Sequence, residues 1–80
     1  MARKLPQISG GRVVGLLKKL GYLVVHQRGS HVQLRKKTAL GEHRITVPVH
    51  AVTAKGTLSD ILVRVSRWNG IARDDLLERL

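Results

Sequence analysis

Apolar residues along this chain alternate between two spacings, and each switch marks the edge of an element. Val13, Leu16, Leu17 and Leu20 recur at the spacing of one helix face. Ser9 stands where an N-cap belongs, and Gly21 where a helix is closed by a left-handed glycine. Gly10, Gly11 and Gly15 each lower the intrinsic propensity of this helix by about 1 kcal/mol when interior. Packing must therefore supply what the local sequence does not.

Strand alternation follows, over residues 22–28 and 31–37, with Gly29-Ser30 between them. A Gly-X pair between two such runs predicts a two-residue hairpin with a type II′ turn. That turn sets the register, and the register assigns the faces. Arg28 should oppose His31, Gln27 Val32, His26 Gln33 and Val25 Leu34. Leu23, Val25, Val32 and Leu34 then share an apolar face, while His26, Arg28, His31, Gln33 and Arg35 share a polar one. A third strand is predicted over residues 42–49, with Ile45, Val47 and Val49 inward and Arg44 and Thr46 outward. Pro48 cannot donate to a ladder, so this strand should be an edge strand or end there, and a simple meander puts it at the edge. The hairpin loop over residues 38–42 should leave Leu40 exposed or in a partner's reach.

A second helix is predicted to open at Thr57-Leu58-Ser59-Asp60, a capping-box-like start. Leu58, Ile61, Leu62, Val65 and Trp68 form its apolar stripe, and Gly70 ends it. A short last helix over residues 73–80 begins with acids and can return Leu76, Leu77 and Leu80 to the core. The sum is a single α+β domain over residues 1–80, in two layers and in the order α-β-β-β-α with a short C-terminal helix. Helices cover one face of a three-stranded antiparallel sheet and leave the other open.

Charge sharpens this picture. The 80 residues carry 15 Lys and Arg against 5 Asp and Glu, a net charge of +10. Residues 1–56 hold all of the excess, with Glu42 their one acid, whereas residues 57–80 balance. Solubility alone needs less charge than this, so a polyanion is the expected partner, nucleic acid first. The chain has no cysteine, which removes disulfides and thiolate metal sites. No apolar run reaches the length of a signal peptide or a membrane span, so the expected location is the cytoplasm. Tyr22 and Trp68 are the only aromatic residues, too few for a base-stacking platform; contacts should go mainly to phosphate and sugar.

Four histidines are the candidates for chemistry. His31 follows the tight turn on the polar face, beside Arg28. A neutral imidazole there could take the proton of a ribose 2′-hydroxyl while cations stabilise the charge growing on the phosphate. An exposed polar residue at a strand start is the plainer account of the same position. His50 ends the run Val47-Pro48-Val49 and reads either as a loop-entry residue or as a second acid–base group. His26 reads as a surface residue, and His43 receives no role. No spacing among the four favours a metal site. Lys55-Gly56-Thr57 offers a helix N-terminus with a cation beside it, equally an anion site or merely a helix start. Arg35, Lys36 and Lys37 form a basic run that a solvated strand end would also explain.

Ser9-Gly10-Gly11-Arg12 opens a helix that closes with Leu20-Gly21-Tyr22. Arg28-Gly29-Ser30-His31-Val32, Val47-Pro48-Val49-His50 and Lys55-Gly56-Thr57-Leu58 follow, and Asn69-Gly70-Ile71 precedes Asp74, Asp75 and Leu76. In this order and at these separations the segments resemble the HicA family of toxin–antitoxin ribonucleases, over roughly residues 7–80. The resemblance implies a fold like the double-stranded-RNA-binding domain. It implies translation-independent cleavage of mRNA with His31 as the catalytic residue; the enzyme reading takes this cleavage to need no metal and no cofactor. It also implies neutralisation by an acidic HicB-type antitoxin that covers the histidine and the basic surface. The expected RNA contacts are Arg28, Ser30, Arg35, Lys37, Arg44, His50 and Lys55. Two other readings stay open: a basic module that holds RNA without cutting it, and an interaction protein whose basic face serves only its acidic partner.

Overall fold

A computed structural model describes residues 7–49 and 52–80. The element order is α1 (Gly10–Lys19), β1 (Leu23–Arg28), β2 (His31–Thr38), β3 (Gly41–Pro48), α2 (Lys55–Asn69) and α3 (Arg73–Arg79). The three strands form one antiparallel sheet in the order β1-β2-β3. One face packs with the helices and the other is open, the α+β arrangement that the apolar pattern predicts.

The caps of α1 work as expected. The Ser9 side chain accepts a hydrogen bond from the Arg12 backbone N–H at 3.2 Å. At the other end the N–H of Tyr22 reaches the Leu17 carbonyl and that of Gly21 reaches Lys18, a Schellman closure with Gly21 at φ 101°. That closure turns Tyr22 inward, where it is 1% exposed, so β1 starts one residue later than the alternation suggests. Gly10 has a different reason to be glycine. A Cβ there would lie 2.2 Å from the Pro48 carbonyl oxygen and 2.6 Å from Val49 Cα, so the helix start rests directly on the end of β3. Gly11 and Gly15 meet no such wall.

The core joins Val13, Leu16 and Leu17 of α1 to Val32, Leu34, Ile45 and Val47 of the sheet. Leu58, Ile61, Leu62 and Val65 of α2 and Leu76 and Leu77 of α3 complete it. Expectations for α2 and for the sheet need correction. The second helix begins at Lys55, two residues before the predicted capping box, with Ala54 as an N-cap that makes no side-chain bond. The chain entering it is fixed by tertiary structure instead, through the Thr53 N–H to the Ile8 carbonyl at 2.7 Å. Asp60 bonds no helix N–H but pairs with Arg64 one turn on, at 3.1 Å on an exposed surface.

The other correction concerns β1. The turn places Gly29 at φ 57° and leaves Ser30 at negative φ, which excludes type I′ and fits type II′. The register holds for Arg28–His31, Gln27–Val32 and His26–Gln33, then slips. Val25 is an extra residue, a β-bulge, so Val24 rather than Val25 opposes Leu34, and Leu23 opposes Arg35 on the open face. Leu23, Val24 and Val25 are 65%, 41% and 45% exposed, and no residue of β1 is buried. Of the expected apolar face, Val32 and Leu34 are buried and Leu23 turns to the open face, while Val25 stays exposed in a groove lined also by Leu34, Ile45 and Ile61. The β2–β3 turn is also tighter than expected: Thr38 pairs with Gly41, so β3 starts at residue 41 and ends at Pro48, with Leu40 exposed at the tip.

The bulge makes a contrast that can be measured. Leu34→Ala should cost about 2–5 kcal/mol in urea denaturation, the range for a fully buried leucine. Leu23→Ala should stay within about 0.5 kcal/mol, as surface changes do. Comparable losses at the two positions would put Leu23 back in the core.

Candidate nucleic-acid interface

Antiparallel pairing stacks the outward residues of the three strands in rows. The first row is Arg28, His31 and Pro48, the second His26, Gln33 and Thr46, the third Leu23, Arg35 and Arg44. Lys37 opposes Glu42 in the row beyond. His26, Arg28, His31, Gln33 and Thr46 together line a shallow depression of ≈ 460 Å³ at the hairpin end of the sheet. His31 is exposed at the head of β2, directly across from Arg28, as the register requires. Ser30 is half-buried, and its carbonyl accepts from the Val49 N–H, which ties the turn to the end of β3. The ring of His31 is therefore carried by a hairpin anchored on both neighbouring strands.

Further along the same face the positive charge is partly spent. Glu42 receives Arg44 Nε at 2.8 Å and Arg35 Nη1 at 3.2 Å, and so binds two guanidiniums that the register sets opposite each other. The hydrogen bond from Arg44 is the main reason its carboxyl is held below the usual range; Arg35 adds to it, against a smaller opposing effect of burial. The arrangement spaces two like charges about a single acid and leaves one net positive charge. Arg28 and Lys37 stand outside this trio.

The expected RNA contacts do not all come together. Arg28, Arg35, Lys37 and Arg44 share the open face with His31. Lys55 is exposed at the start of α2, in the helix layer rather than on that face. His50 lies outside the described residues. Among the described residues no three His, Cys, Asp or Glu side chains converge as a metal would require. No helix among them is long and apolar enough to cross a membrane.

His43, to which the sequence reading gives no role, is the best-connected histidine. It is 4% exposed, on the core side of β3 with Ile45 and Val47. Its Nδ1 is hydrogen-bonded to the Tyr22 hydroxyl at 2.6 Å, and that hydroxyl also accepts from Asn69 Nδ2 at 2.9 Å. Asn69 Oδ1 in turn accepts from Lys36 Nζ at 2.5 Å. The His43 ring stacks on Trp68 with centroids 5.0 Å apart and planes 8° from parallel. This network fastens the end of α2 to the sheet. Burial, with Arg64 adding to it, pushes the His43 imidazole below its ordinary value and keeps it neutral. Its signal in the sequence was parity: residue 43 alternates in step with residues 45 and 47.

A family model for the HicA toxin of bacterial toxin–antitoxin systems matches residues 10–65. That span runs from the start of α1 into α2 and contains the whole sheet. No curated protein and no solved structure matches the chain.

The network around His43 makes stability depend on pH. An imidazole in the unfolded chain titrates near 6.5, whereas the buried ring resists the proton. The contribution of neutral His43 is complete above that value and is lost as pH falls toward the lowered native one. Urea titrations from pH 7.5 down to pH 5.5, about a unit either side of the ordinary histidine value, should show this loss. His43→Gln should flatten it; an unchanged slope would clear His43 of the effect. Tyr22→Phe should cost about 1–3 kcal/mol at neutral pH, because it orphans a buried ring nitrogen and an amide donor.

Proposed function

The chain belongs to the HicA toxin family, the toxin component of a toxin–antitoxin system, and on that premise we propose that it is an endoribonuclease that cleaves mRNA without a metal, using His31. The carrying observation is the placement of that ring, exposed at the hairpin end, across from Arg28, in a depression on the face that holds most of the sheet's cations. His31 takes the proton of a ribose 2′-hydroxyl. The freed oxygen attacks the adjacent phosphorus as the bond to the 5′-oxygen breaks. The products are a 2′,3′-cyclic phosphate and a 5′-hydroxyl end, and the leaving oxygen must receive a proton. Arg28 is the cation placed to stabilise charge on the phosphoryl oxygens.

The remaining contacts follow the phosphate backbone. Lys37, Arg35 and Arg44 extend a basic track along the open face, the two arginines with Glu42 between them. Ser30, Lys55 and His50 complete the proposed RNA-binding set, Lys55 from the helix layer. With few aromatic groups on this face, affinity comes from charge and should fall steeply with salt. A toxin of this kind works beside an antitoxin partner. We take that partner to be an acidic HicB-type protein, drawn by the +10 charge onto the same face, and the place of action to be the cytoplasm.

The test is cleavage of RNA by the purified chain with EDTA present. His31→Ala should slow it by about 10²–10⁴-fold, the range for losing a general base, with the melting curve unchanged. Undiminished cleavage by that variant would remove the mechanism. Intact RNA with salt-sensitive binding would make the chain a passive RNA holder. Negligible affinity for RNA, with tight binding to an acidic protein, would make it an interaction module.

A further inference from the structure

Cleavage by this route needs two proton transfers at two different oxygens. The 2′-oxygen enters on one side of the phosphorus and the 5′-oxygen leaves on the other, so base and acid belong on opposite sides of the phosphate. The depression that holds His31 holds a second imidazole, that of His26. We propose that His26 is the general acid of this site, donating its proton to the departing 5′-oxygen while His31 removes the one from the 2′-hydroxyl. The inference rests on the nuclease reading above.

The geometry comes from the register. His31 opposes Arg28 and His26 opposes Gln33, so the two histidines occupy diagonal positions on adjacent strands and point to the same face. Such diagonal neighbours lie about 7–8 Å apart, a gap into which a phosphate fits. Arg28 sits directly across from His31 and, two residues along β1 from His26, on the same outward face. Arg28 thus neighbours both histidines in the lining of one depression, where a phosphate it held would be in reach of both rings. Gln33 and Thr46 complete the lining with neutral groups that can hydrogen-bond the substrate without competing for its proton. His43 cannot serve, because it is buried on the other side of the sheet, bonded to Tyr22.

The step balances with no outside reagent. One bond forms, between the 2′-oxygen and phosphorus, and one breaks, between phosphorus and the 5′-oxygen. His31 ends with a proton and His26 without one. Opening of the cyclic phosphate by water can run the same transfers in reverse and restore both rings.

A general acid can be told from a binding residue by its leaving group. The scissile bond is first mapped with the parent chain, and its 5′-oxygen is then replaced by sulfur, which departs as a thiolate without a proton. His26→Ala should slow cleavage of ordinary RNA by about 10²–10⁴-fold, yet cleave the sulfur-bridged RNA within a few-fold of the parent rate. His31→Ala should slow both substrates. His26 is exposed, so its variant should melt with the parent; His26→Gln, which keeps a polar side chain but cannot donate as an imidazolium, serves as the second variant. Equal slowing of both substrates by the His26 variants would reduce His26 to a binding or positioning group. Full activity on ordinary RNA would exclude it altogether. Rescue of His31→Ala by the thiolate, with none for His26→Ala, would overturn the assignment by exchanging the roles. Intact RNA with the parent chain, or full cleavage by His31→Ala, would instead sink the nuclease reading itself.

Discussion

The two-residue turn at Gly29-Ser30 decides which side chains of the hairpin meet the helices and which meet solvent. A hairpin closed by a turn this short has one register, and a residue's face follows from its distance to the turn. Three pairs out from the turn hold that register: Arg28 with His31, Gln27 with Val32, His26 with Gln33. One set of side chains is thereby sent to the helices and the other to the open face. A slip of one residue would bury the imidazole of His31 and expose Val32 and Leu34. The left-handed φ at Gly29 is thus a condition of both the core and the site.

Where that constraint loses its grip, the sequence also loses its legibility. The turn, the caps of α1, the stripe of α2 and the inward parity of Ile45 and Val47 are local features, and local features can be read from spacing. The bulge at Val25 cannot be, because Leu23, Val24 and Val25 are all apolar and carry no alternation to violate. The start of α2 escapes the local sequence for a different reason. Thr57 and Asp60 look like a cap, yet the helix entry is held by a backbone bond from Thr53 to Ile8, far apart in the chain. His43 has no local feature beyond parity to mark it as buried, and only the tertiary partners Tyr22, Trp68 and Asn69 explain its burial.

The candidate site divides along the same line. His31 beside Arg28 was legible because both flank the turn. The trio of Arg35, Arg44 and Glu42 depends on pairing between β2 and β3 and appears only in three dimensions. It changes the meaning of the net charge. Part of the basic surface is already committed to an internal acid, which leaves the hairpin end, with Arg28 and two imidazoles, less neutralised than the middle of the face. A phosphate chain crossing the sheet would meet a cation outside that trio next to His31.

The three glycines of α1 look interchangeable as letters but differ in what surrounds them. Position 10 is a keyhole: any side chain there collides with the backbone of residues 48 and 49, so the helix and the third strand cannot be tuned separately. A side chain at position 11 would make only ordinary contact with Ser9 Oγ, and one at position 15 would meet nothing, so both confer only slack on a helix whose face does the holding. Alanine at either would stiffen α1 by about 1 kcal/mol without touching the sheet. The natural sequence therefore keeps a first helix softer than its fold demands, and a chain of this size has few other places from which rigidity could be so simply gained.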